Sequence, residues 1–192
     1  LFIILLFLVL VAEIFMPKLI FLIAPGFYKD PEKLKLAIDL SRITFPFLLF
    51  VSLASFLGAI LNTYNKFAVS AAAPIILNII LIGSLFLSQL FQISEVLTLS
   101  YAVSIAGFLQ LIILLFFVRK NFKPILSVKI KIDKKIKFFF SKLIPSIFSS
   151  GITQINILVG TIIASFQAGA VSYLYYADRI YQINLAVAGI AI

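Results

Sequence analysis

The sequence predicts an all-α fold, a polytopic bundle of transmembrane helices, and three observations carry that expectation. Hydrophobic residues make up 63% of the 192 positions and charged residues 12%, with a mean hydropathy of +1.20, which is too apolar for a domain of this length to keep in water. Apolar runs approaching the roughly 20 residues needed to cross about 30 Å of hydrocarbon recur along the chain, at about 1–24, 38–61, 70–91, 96–118, 138–166 and 170–192. These runs are continuous, as in LFIILLFLVLV and PIILNIILIGSLFL, and lack the alternation of barrel strands.

Composition also excludes function classes. The absence of Cys and His removes the usual zinc sites, thiol chemistry and imidazole acid–base work, so an enzyme is not expected. The net charge of +9 resides in loops that flank apolar runs, without aromatic motifs of the RNA-binding kind, so it points to a membrane and not to nucleic acid. The chain opens in LFIILLFLVL and ends at Ile192 within an apolar run, and is expected to be an internal piece of a longer polytopic protein.

The first span carries Glu13 in mid-helix, ahead of Pro17 and Lys18, where a carboxylate needs a partner or a cavity. APGFYKDPEKLKLAIDLSR then mixes both signs of charge with Pro25, Gly26 and Pro31, and reads as an exposed loop with a short amphipathic helix touching the interface through Leu34, Leu36 and Leu40, or as a plain solvated connection. In the second span Ser55 and Ala59, and likewise Ala54 and Gly58, are four apart, which lets another helix approach closely. Asn78, one turn past Pro74 in the third span, is suited to a hydrogen bond with a neighbouring helix.

The short connection QISEVLT makes the third and fourth spans antiparallel neighbours. After them Arg119, Lys120, Lys123, Lys129, Lys131, Lys134, Lys135, Lys137 and Lys142 face a single acid, Asp133, whereas the loop between the first two spans balances its cations with Asp30, Glu32 and Asp39. The positive-inside rule therefore puts the basic loop and the turn at Lys66 in the cytoplasm, and the turns at Gly26, Glu95 and Gly169 on the far side.

The fifth span is the least lipid-like, with Pro145, Gly151, Gln154, Asn156 and Gly160. Proline frees a carbonyl and the glycines loosen the helix, so a bend in a moving part is expected; tight packing on small residues is the competing reading. In SYLYYADRIYQINLAVAGIAI, Tyr175, Asp178 and Gln182 share one face and Tyr176 and Arg179 the adjoining one. Arg179 lies roughly 14 Å past the turn at about 1.5 Å per residue, near mid-membrane, where a charge costs about 2.5 to 3.5 kcal/mol on insertion scales. Such a residue marks a site by default, with mutual neutralisation of Asp178 and Arg179 near a helix end as the alternative.

The stretches APGF, ITFPFLLFVSLASFLGAILNTYNKF, AAAPIILNI, TIIASF and SYLYYADRIYQINLAVAGIAI together resemble the MurJ/MviN lipid II flippases of the multidrug/oligosaccharidyl-lipid/polysaccharide (MOP) exporter superfamily. The resemblance implies the third to eighth of fourteen helices in a two-lobed transporter: 1–118 as the last four helices of the N-lobe, 119–137 as a cytoplasmic basic inter-lobe linker, and 138–192 as the first two helices of the C-lobe. It implies a monomer of the bacterial cytoplasmic (inner) membrane that moves undecaprenyl-diphosphate-linked peptidoglycan precursor outward by alternating access, among membrane lipids and with no cofactor. Coupling to the membrane potential or a monovalent cation is expected without an assigned site, since the fifth span lacks the acid that some members place on their seventh helix for sodium. Arg179 matches the family's cavity arginine, which engages the diphosphate; Asp178, Tyr176 and Gln182 are the accompanying substrate-site candidates, and Pro145, Gly151, Gln154, Asn156 and Gly160 the cavity-lining or gating ones. A polysaccharide-lipid or drug exporter of the same superfamily is the alternative.

Overall fold

The structure, a computed structural model, describes residues 1–120 and 134–191. Every regular element among the described residues is helical: α1 (Phe2–Ile14), α2 (Met16–Ile23), a 3-10 turn (Pro25–Lys29), α3 (Pro31–Thr44), α4 (Pro46–Thr63), α5 (Phe67–Phe91), α6 (Glu95–Val118), α7 (Lys134–Ala164) and α8 (Ala170–Ala191). Among the described residues four helical stretches are long and apolar enough to cross a membrane, or five if α1 and α2 form one broken span. At 22 residues α8 is long enough but less apolar than these, because Asp178, Arg179, Gln182 and Asn184 interrupt it. Of the basic segment expected as a linker, 121–133 lie outside the described residues.

Two of the expected elements come out differently. The first apolar run is not one helix: it breaks at Phe15, because Pro17 has no N–H for the carbonyl of Glu13 and its ring crowds that turn. The amphipathic segment is not a separate short helix either, since α3 and α4 form one continuous stretch, Pro31–Thr63, of 33 residues. Phe45 keeps helical dihedrals (φ −61°, ψ −35°) ahead of Pro46. At about 1.5 Å per residue this stretch is roughly 50 Å long, well beyond the hydrocarbon thickness, so its charged α3 end reaches water.

The chain divides into two compact units, Leu1–Met16 with Lys35–Leu126, and Pro17–Leu34 with Ser127–Ile192. In the first, α6 packs on both α4 and α5. Ala106, Gln110, Leu114 and Val118 recur every fourth residue along α6, so they form one buried stripe that meets Ala54, Leu57 and Leu61 of α4. Gly107 permits the approach: a Cβ there would come within 2.5 Å of the Phe47 ring, and the Phe50 and Phe108 rings meet edge to face beside it at 5.4 Å. Ser104 Oγ donates to the carbonyl of Ile43, close to Pro46, where the helix ladder is interrupted. Against lipid this packing gains dispersion contacts and satisfied polar groups, not hydrophobic burial.

Of the small residues expected at helix contacts, Ala54 and Gly58 are buried, and a Cβ on Gly58 would touch Ser70 Cβ of α5 at 3.3 Å. Ser55 and Ala59 join Ala54 and Gly58 in lining a cleft of about 640 Å³ among α4, α5 and α6, together with the buried Gln110. Asn78 is exposed and makes no hydrogen bond among the described residues. In the second unit α7 packs on α8 and on the 3-10 turn. The helix runs unbroken through Pro145, Gly151 and Gly160, so the bend expected there does not interrupt it.

Candidate functional site

The turn between α7 and α8 is built for a sharp reversal. Gly169 takes φ +75°, a left-handed conformation that a side chain disfavours, and Tyr173 packs its ring where a Cβ would sit, 3.3 Å away. α8 then starts at Ala170, which places Arg179 about two and a half turns into the helix.

On α8 the spacing of Tyr175, Asp178, Arg179 and Gln182 brings their side chains onto adjoining faces, and the structure joins them. Arg179 Nη1 donates to Gln182 Oε1 at 3.1 Å, and Gln182 Nε2 donates to Asp178 Oδ2 at 2.7 Å. The amide dipole thus lies with its oxygen toward the cation and its NH₂ toward the anion. Asp178 and Arg179 do not pair directly: neighbours in sequence point about 100° apart on a helix, and Gln182 fills the space between them. The centre of the Tyr175 ring lies 5.0 Å from the guanidinium carbon, a cation–π distance that restrains the group. Among the described residues one of the five N–H donors of the guanidinium is used, which leaves a fork for an anion.

Tyr176 touches Tyr175 edge to face at 5.9 Å and stands outside the hydrogen-bonded group. On α7, Gln154 and Asn156 are exposed, and no hydrogen bond among the described residues joins them to α8. Gly160 lies at the α7–α8 contact, where a Cβ would meet Leu174 Cδ2 at 3.4 Å, while Gly151 has no heavy atom within 4 Å of its Cβ position; Pro145 is exposed. Tyr175 was not among the expected substrate residues, although its position four before Arg179 was the available signal. Glu13 sits in α1 with Oε1 buried and without a hydrogen-bond partner. Among the described residues no cluster of acidic, His or Cys side chains could hold a metal ion.

Long apolar helices, small residues at the helix contacts of the first unit and a polar arginine face on α8 define a multi-pass helical membrane protein. The family described as lipid II flippase MurJ matches the whole chain, residues 1–192, and the chain belongs to that family, whose members lie in the bacterial inner membrane. It is 41% identical over 181 residues to the "Probable lipid II flippase MurJ" of Rickettsia prowazekii (strain Madrid E), covering 92% of this chain and 35% of that one. Against the lipid II flippase MurJ of Burkholderia cenocepacia it is 31% identical over 182 residues, 90% of this chain and 34% of the relative. A solved structure described as lipid II flippase MurJ in an inward closed conformation superposes with a TM-score of 0.76 at 29% identity, over 94% of this chain and 37% of the other. The chain therefore spans about a third of the length of the relatives it matches.

Proposed function

We propose that this chain works in moving lipid II, the undecaprenyl-diphosphate-linked peptidoglycan precursor, from the inner to the outer leaflet of the cytoplasmic membrane by alternating access. The observation that carries the reading is the Arg179 guanidinium, in cation–π contact with Tyr175, fixed by Gln182 and, among the described residues, left with most of its donors, in a chain that belongs to the MurJ family. A diphosphate offers oxygens in the spacing that a guanidinium fork matches, and in a cleft of low dielectric the pairing strengthens. Asp178 and Gln182 restrain the arginine until the diphosphate arrives, and Tyr176 borders the substrate path. Pro145, Gly151, Gln154, Asn156 and Gly160 line or gate that path from α7.

In this reading 1–118 belong to the N-lobe, 119–137 to the linker and 138–192 to the C-lobe, and the protein is a transporter, not an enzyme, that works as a monomer. The membrane potential or a monovalent cation gradient drives the cycle. The test is complementation: cells depleted of their own lipid II flippase and supplied with this protein as its gene encodes it should again expose lipid II at the outer leaflet. Inside-trapped lipid II despite normal membrane levels of the protein would contradict the reading.

A further inference from the structure

The hydroxyl of Ser165, the residue that follows α7, is used twice. It donates to the carbonyl of Ile162 at 2.7 Å and accepts from the backbone N–H of Gly26 at 2.9 Å, across 139 residues of sequence and within one compact unit. Gly26 lies in the 3-10 turn Pro25–Lys29. The first N–H groups of a helical turn have no partner inside it, and Pro25 has none to offer, so Gly26 brings the first free donor to the contact. The approach is backbone to backbone: a Cβ on Gly26 would collide with the Ser165 carbonyl and the Phe166 nitrogen. Only glycine allows it. Three residues on, the Lys29 ammonium lies 5.5 Å from the centre of the Phe166 ring.

This contact is small and polar. Among the described side chains of 134–191, Ser165 alone is buried, at 3% exposure, so the turn holds the end of α7 at a point and not through a broad interdigitated face. A hydrogen bond and a cation–π contact exchange readily for water, whereas a packed apolar face does not. The covalent connections give the point leverage. Ser165 precedes the start of α8 by five residues, and the turn runs directly into the stretch Pro31–Thr63 on its other side.

We propose that the Gly26–Ser165 contact is a reversible latch, closed in the arrangement seen and released once in each transport cycle, so that α8 and its arginine change the side to which they open. The proposal rests on the transporter reading above and adds a moving contact to it. Release separates Gly26 from Ser165 and Lys29 from Phe166, and reclosure restores both.

The test uses Lys29→Cys with Phe166→Cys, since the 192 residues contain no cysteine. A short methanethiosulfonate bridge across the pair should slow lipid II exposure at the outer leaflet by at least about tenfold, with recovery on reduction, as for other gating contacts. Exposure at an undiminished rate with the bridge in place would overturn the latch. The parent protein run alongside reports on the flippase reading alone, and the difference between bridged and reduced arms reports on the latch. A second measurement needs no transport: spin labels on the same cysteines should give a short and a long distance, with Ser165→Ala enriching the long one. A single short distance unchanged by Ser165→Ala would likewise overturn it.

Discussion

Asp178 and Arg179, consecutive in sequence and opposite in charge, make no ion pair; the side-chain amide of Gln182 stands between them, accepting from Arg179 at 3.1 Å and donating to Asp178 at 2.7 Å. The arginine is thereby held without being neutralised at contact distance.

Replacing Gln182 with Leu removes both hydrogen bonds, and the loss of about 1 kcal/mol of restraint corresponds to roughly fivefold weaker anion binding. Asp178→Asn keeps an acceptor for the Gln182 NH₂ and should cost less. Rates of lipid II exposure in the two variants at matched membrane levels check the order; a greater loss in Asp178→Asn would show that the carboxylate itself contacts the substrate.

The two α7 glycines should part company. A side chain at Gly160 meets Leu174 of α8, so Gly160→Leu crowds the helix pair at a cost of about 1–3 kcal/mol, whereas Gly151→Ala enters open space and raises helix propensity by up to about 1 kcal/mol. Thermal unfolding in detergent should show a lower midpoint for the first and an equal or higher one for the second. Equal destabilisation would place a neighbour at Gly151 that the contact pattern lacks.

Glu13 holds a buried oxygen without a hydrogen-bond partner in a membrane helix. Relieving such a group recovers about 1–3 kcal/mol. Glu13→Leu, which removes that oxygen, should therefore leave membrane insertion intact and raise the unfolding midpoint by a few degrees, on the order expected from the size of the free-energy change. A lowered midpoint would mean that the carboxylate has an ionic partner in the assembled protein.

Topology can be read by cysteine labelling. α5 is 25 residues, roughly 37 Å at about 1.5 Å per residue, so its two ends lie on opposite membrane faces. Ser94→Cys should react with an impermeant thiol reagent in intact cells and Asn65→Cys should not. The reverse pattern would invert the orientation drawn from the basic loop.

Much of the helical fold was legible because length and continuous apolarity identify a spanning helix without reference to neighbours, as in α5 and α6. The break at Phe15 was hidden by an apolar run that continues on both sides of it, with Pro17 as the helix-breaking signal. The run at 38–61 already passes through Pro46, but the joining of the whole of α3 to it was hidden because the charges at Lys33, Lys35, Asp39 and Arg42 read as an exposed connection. The face shared by Tyr175, Asp178 and Gln182, with Arg179 on the adjoining one, followed from helical period, but the amide's place between two charges depends on rotamers that no period encodes. The Gly26–Ser165 contact joins segments 139 residues apart, and neither residue type signals such a partner.

The central claim is that Arg179 binds the substrate's diphosphate, and replacement at that single position tests it most directly. Lysine keeps the charge and loses the fork; alanine loses both. With either variant as the sole copy, the account predicts normal membrane levels, outer-leaflet lipid II reduced by at least about tenfold, as for loss of a charge-assisted bidentate contact, and failed growth, with Arg179→Lys the milder. Normal lipid II exposure and growth with Arg179→Ala at native expression would contradict it.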